Sequence, residues 1–111
     1  MLIYIRSDAS TKIGSGHVIR CLALARHLKL QGAKVVFICR EDPGNLIEMV
    51  QVQGFEVQCL PSIKGKTVSI ESEESQKQFR DACWEIDARE VKEILQQKVR
   101  ADWLIVDHYI V

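Results

Sequence analysis

The sequence predicts an α/β fold in which a parallel sheet carries helices on both faces. Three observations predict it. Short β-rich apolar runs alternate with segments of helical periodicity along the whole chain. The run Lys34 to Cys39 (KVVFIC) is almost continuously apolar, as suits a parallel strand buried on both faces. Glycines close the helical segments just before the next strand, at Gly32 and Gly54.

The elements follow in order. Leu2-Ile3-Tyr4-Ile5 is a first strand, and Ser7 to Gly14 a polar loop. From Gly16 to Leu30 the residues Val18, Cys21, Leu22, Ala25 and Leu28 recur at helical spacing. After the Lys34–Cys39 strand, Asp42-Pro43-Gly44-Asn45 reads as a turn. Leu46, Ile47 and Val50 suggest a short helix, and Phe55 to Leu60 a third strand. Pro61 to Glu71 is loop. A long helical stretch runs from about Glu73 to Val99, with a break expected near Asp87, because Asp87 and Glu90 have capping-box spacing. Val91, Ile94, Leu95 and Val99 form its last apolar face. Trp103-Leu104-Ile105-Val106 is strand four, ending at Asp107-His108. Right-handed crossovers favour the spatial order 3-2-1-4, a Rossmann-like arrangement. Strand four would then be central, with further strands beside it, yet the chain stops at Tyr109-Ile110-Val111 without a turn or helix. The expectation is that residues 1–111 are one truncated amino-terminal domain, cut after its fourth strand. A minimal domain, or an assembly that covers the edge, are the alternatives.

Composition narrows the function classes. The chain of 111 residues is the size of one domain, 47% hydrophobic and 27% charged, with a formal net charge of zero. That balance points to neither nucleic acid nor an anionic membrane. The first apolar run is too short for a signal-peptide core, and none approaches the roughly 20 residues of a membrane helix. A cytoplasmic location is expected, with buried, reduced thiols at Cys21, Cys39, Cys59 and Cys83, which include no C-x-x-C pair. No metal-ligand spacing such as H-E-x-x-H appears, and no cofactor is expected. The sequence assigns no oligomeric state.

Ligands of doubly wound sheets bind beyond the carboxyl ends of the strands, where strand order reverses. Two polar segments converge there: Ser7-Asp8-Ala9-Ser10 through Gly14-Ser15-Gly16-His17, and Asp107-His108-Tyr109. Gly14 and Gly16 allow a tight turn and a close backbone approach, and the helix that follows points free N–H groups and its positive end into the site. A G-x-G pair alone equally fits a ligand-free turn. The dinucleotide fingerprint is excluded, because its third glycine position holds Ile19. Gly65-Lys66-Thr67 resembles a P-loop ending, but the upstream glycine is replaced by Leu60, which leaves a surface turn.

His17 stands at the first helical turn, where the dipole disfavours imidazolium. It is either a general base or a residue that caps the turn. His27 is read as solvated surface. Asp107 can orient His17 or bind substrate hydroxyls; Tyr109, Asp8 and Ser10 can hydrogen-bond a sugar; His108 either contacts ligand or completes the turn. Loop capping is the plain alternative for each.

These residues have a family likeness. Ile5-Arg6-Ser7-Asp8-Ala9-Ser10, followed by Ile13-Gly14-Ser15-Gly16-His17-Val18-Ile19-Arg20-Cys21-Leu22-Ala23-Leu24-Ala25, resembles the opening of the UDP-sugar hydrolases of pseudaminic acid biosynthesis. Asp102 to Tyr109 (DWLIVDHY) resembles their second motif, D-x-L-I-V-D-H-Y. The resemblance implies the amino-terminal half of a GT-B-like two-domain architecture, whose absent carboxyl-terminal domain holds most of the UDP. It implies inverting hydrolysis of UDP-2,4-diacetamido-2,4,6-trideoxy-β-L-altropyranose without metal. His17 would be the catalytic histidine, and Asp8, Ser10, Gly14, Ser15, Gly16, Asp107, His108 and Tyr109 would lie near the substrate. The half alone is expected to be inactive. A glycosyltransferase with a non-water acceptor and a non-catalytic nucleotide-sugar binding module are the competing readings.

Overall fold

A computed structural model of the chain describes residues 1–11, 14–62, 73–97 and 100–107. The elements are β1 (Leu2–Ser7), α1 (Gly16–Leu30), β2 (Lys34–Arg40), α2 (Ile47–Val52), β3 (Glu56–Leu60), α3 (Glu73–Leu95) and β4 (Trp103–Asp107). All strand pairs are parallel, in the order β3-β2-β1-β4. This is the strand order expected from right-handed crossovers.

Register decides what each face buries. Ile3 and Ile5 align with Val35 and Phe37 on one side and with Trp103 and Ile105 on the other. Side chains alternate across a strand, so these residues share a face. On it they pack with Val18, Cys21, Leu22 and Ala25 of α1 and Ile47 and Val50 of α2. The opposite face carries Tyr4, Val36, Ile38 and Leu60 against Val91 and Ile94 of α3. Each fully buried side chain of this kind contributes about 1.5–3 kcal/mol. Phe37 and Phe55 meet edge-on, with centroids 5.6 Å apart.

Both helix-to-strand turns end alike. Ala33 N donates to Leu28 O and Gly32 N to Lys29 O; Phe55 N donates to Val50 O and Gly54 N to Gln51 O. Each pair of bonds is a Schellman motif centred on the glycine that the sequence marks as a stop.

Two expectations need correction. α3 is continuous from Glu73 to Leu95, with no break at Asp87. A capping carboxylate must reach backbone N–H groups, but Asp87 is buried and its oxygens are taken by Arg6 and Arg40. Cys21, Cys39 and Cys83 are buried free thiols, but Cys59 is exposed, because β3 is a sheet edge. Val99 and the Gly65-Lys66-Thr67 segment lie outside the described residues.

β4 forms the other edge, and its apolar Trp103, Leu104 and Val106 are exposed. Among the described residues no helix is long and apolar enough to cross a membrane.

Candidate functional site

The site assembles where β1 and β4 end beside the first turn of α1. Ser7 and Asp107 are register partners, so Asp107 shares the α1 face with Ile3 and Ile5. There it meets three α1 side chains. His17 Nδ1 lies 2.9 Å from Asp107 Oδ1. Arg20 donates from Nε to Oδ2 at 2.9 Å and from Nη2 to Oδ1 and Oδ2 at 2.7 and 2.8 Å. The Cys21 thiol donates to Oδ2 at 3.5 Å. Residues three apart on a helix share a face, which brings His17 and Arg20 to one carboxylate.

Electrostatics fix the charge of the centre. The Arg20 hydrogen bonds hold the Asp107 carboxyl well below the usual carboxylate range. Partial burial opposes them, and the His17 and Cys21 bonds add to them. Asp107 is therefore an anion and only accepts hydrogen bonds. Toward this anion His17 Nδ1 acts as the N–H donor across the 2.9 Å contact in the tautomer that carries its proton there. Arg20 Nη2 also stands 3.1 Å from His17 Nδ1, where the guanidinium can only donate, so in the other tautomer Nδ1 accepts from Arg20.

The loop ahead of α1 closes as Gly14 N donates to Ser10 O at 2.8 Å, with Gly14 at φ +78°. Ser15 is the N-cap of α1 but makes no side-chain capping bond, and no acidic residue occupies the first turn. The positive end of the helix dipole thus faces the His17–Asp107 pair without a local carboxylate on α1 to offset it. Gly16 has a negative φ, and a Cβ there would meet nothing within 4 Å, so of the two glycines only Gly14 needs its conformational freedom in the described structure.

Other residues singled out by the sequence fall elsewhere. Asp8 is buried and turned to the α3 face. Its two oxygens accept from Arg6 Nη1 and Nη2 at 2.6 and 2.8 Å, and Oδ1 also accepts from Arg40 N at 2.8 Å. Ser10 is buried within the loop, while Gly14, Ser15 and Gly16 are exposed. Ile13, His108 and Tyr109 lie outside the described residues.

Arg20 and Cys21 are site residues that sequence reasoning passed over, although the H-x-x-R spacing carries the signal for Arg20. A second unforeseen feature is a buried charge network. Arg6 bridges Asp8 and Asp87, and Arg40 bridges Asp87, Glu90 and the Pro61 carbonyl. Burial works against the Arg6 charge, but hydrogen bonds from it to Asp8 and Asp87 outweigh that and hold it above its ordinary value. Burial pushes the Cys39 thiol up to about 12, and raises Cys21 as well, so neither is poised as a nucleophile.

Among the described residues, no group of three or more His, Cys, Asp or Glu side chains is placed to hold a metal ion. No protein-family model matches the chain, and no curated protein matches it at a significant level.

Proposed function

We propose that this chain is the amino-terminal half of a nucleotide-sugar hydrolase of GT-B-like architecture, with His17 as the general base. The reading comes from the two sequence motifs. The observation that supports it is the Asp107–His17 pair, held at 2.9 Å at the reversal of strand order.

In this reading His17 Nε2 takes a proton from water as the water oxygen bonds to the anomeric carbon. The bond from that carbon to the UDP oxygen breaks, its electron pair leaves with UDP, and the configuration inverts. Asp107 orients the ring and stabilises the imidazolium that forms, and the α1 dipole favours the anionic leaving group. UDP is held mainly by a second, carboxyl-terminal domain. Positioning supplies much of an enzyme's rate, so residues 1–111 alone are expected not to turn over the UDP-sugar.

The test joins residues 1–111 to the UDP-binding domain of a family member and assays UDP release. His17→Ala is expected to lower turnover by about 10²–10⁴-fold with substrate binding largely kept. Turnover unchanged by that substitution would favour a binding module over a hydrolase. Turnover by residues 1–111 alone, near the rate of a two-domain relative, would contradict the division of labour.

A further inference from the structure

We propose that Cys39 and Cys59 are a redox-modification site: a peroxide converts this pair of thiols into a reversible disulfide between β2 and β3. The proposal is independent of the hydrolase reading.

Register brings the two together. Cys39 of β2 and Cys59 of β3 are direct partners in the parallel sheet. Both point to the face covered by α1 and α2: Cys39 belongs to that core, and Val57, two residues before Cys59, packs against it. Neighbouring strands stand about 4.8 Å apart, inside the roughly 4.4–6.8 Å that a disulfide spans between Cα atoms. The Cβ atoms must then close to about 3.8 Å. β3 is an edge of the sheet and Cys59 lies next to its end, so this strand can yield. The strain that remains makes the bond easy to reduce again.

The two thiols differ as an attacking and a resolving cysteine do. Cys59 is exposed and meets the oxidant, whereas Cys39 is buried. The Cys59 thiolate attacks one oxygen of hydrogen peroxide, the O–O bond breaks, and hydroxide leaves with the proton of the original thiol as water. The product is a sulfenic acid. The Cys39 sulfur attacks the sulfenic sulfur, and its proton leaves with the sulfenic hydroxyl as a second water. Two thiols are oxidised to one disulfide, and one peroxide is reduced to two waters. Desolvation and then the Glu41 carboxylate raise the Cys59 thiol, and burial raises Cys39, so thiolate is scarce at neutral pH and the reaction answers sustained peroxide rather than a brief pulse. Cys21 lines the same face but is buried, and its thiol is donated to Asp107. Cys83 belongs to α3, which covers the opposite face.

The experiment exposes the folded 111-residue chain to hydrogen peroxide, unfolds it in an alkylating agent, and maps tryptic peptides without reduction. Each cysteine falls in its own peptide: Cys21 in residues 21–26, Cys39 in 35–40, Cys59 in 41–64 and Cys83 in 81–89. The expected product is a monomeric chain with 35–40 joined to 41–64, in about tenfold excess over any other link, as the pair set in register. Dithiothreitol should release it. In urea the preference should vanish, because 18, 20 and 24 residues separate successive cysteines and loop-closure costs barely differ. Cys59→Ser, at an exposed position, should abolish the link and leave Cys39 reduced at the same dose. Cys39 joined to Cys21, chains joined through Cys59, or Cys59 carried to sulfinic acid with Cys39 still alkylated would each overturn the proposal. So would the same selectivity in urea.

Discussion

Asp107 receives hydrogen bonds from three side chains of one helix, and this convergence organises the site at the residue scale. Its pH dependence has a definite sign. The folded carboxyl titrates below its unfolded value of about 3.9, so it contributes stability above that value and loses it as pH falls through the folded one. Urea unfolding of wild type and Asp107→Asn should therefore differ most near neutrality and converge in strong acid. An equal difference at both pH values would contradict the Arg20–Asp107 pairing. Gly44 supplies a second residue-scale test. It has φ +82°, and a Cβ there would stand 2.6 Å from Thr11 N, which itself donates to Pro43 O. Gly44→Ala should destabilise by more than about 1 kcal/mol in denaturant titration, since both strain and collision oppose it.

At the scale of elements, α3 is joined to the sheet by two different means. Val91 and Ile94 bury apolar surface against Tyr4, Val36 and Ile38. Asp87 adds ion pairs to Arg6 of β1 and Arg40 of β2, all three being buried. Removing one partner leaves buried charge uncompensated, so Asp87→Ala should cost about 3–5 kcal/mol in chemical denaturation. Arg20→Gln at the exposed pair should cost under about 1 kcal/mol by the same measurement. Elements were readable in the sequence where one local signal dominated. The stripe Val18, Cys21, Leu22, Ala25 marked α1, and Gly32 and Gly54 marked the Schellman ends. Asp87 misled because the spacing of a capping box is local, whereas its partners are guanidinium groups 81 and 47 positions away in the chain. No spacing rule sees such distances. Arg20 was legible in principle, since it lies three residues beyond His17, but only the approach of β4 gives it a carboxylate to hold.

Across the whole molecule, the parallel sheet brings the ends of β1 and β4 together and so turns two distant motifs into one site. That β1 and β4 adjoin was implied by the 3-2-1-4 order; the Ser7–Asp107 register, and with it the side on which Asp107 faces, was not, because a one-residue slip keeps the order and reverses the faces. The same architecture leaves Trp103, Leu104 and Val106 of β4 exposed at an edge without a charged residue among them. Solvent-facing edges commonly carry charges that block pairing with another chain. Val106→Lys should therefore lower the concentration-dependent light scattering of the 111-residue chain while leaving its melting curve nearly unchanged. Scattering equal to wild type would show that this edge does not drive association.

The hydrolase reading we propose has the imidazole beside Asp107 draw a proton from water at a sugar–diphosphate bond. Its most direct measurement is turnover of the UDP-sugar in oxygen-18 water by residues 1–111 joined to a UDP-binding domain. Heavy oxygen on the anomeric carbon of an inverted free sugar is the predicted result. Heavy oxygen on the UDP phosphate, or sugar transferred intact to another acceptor, would contradict it.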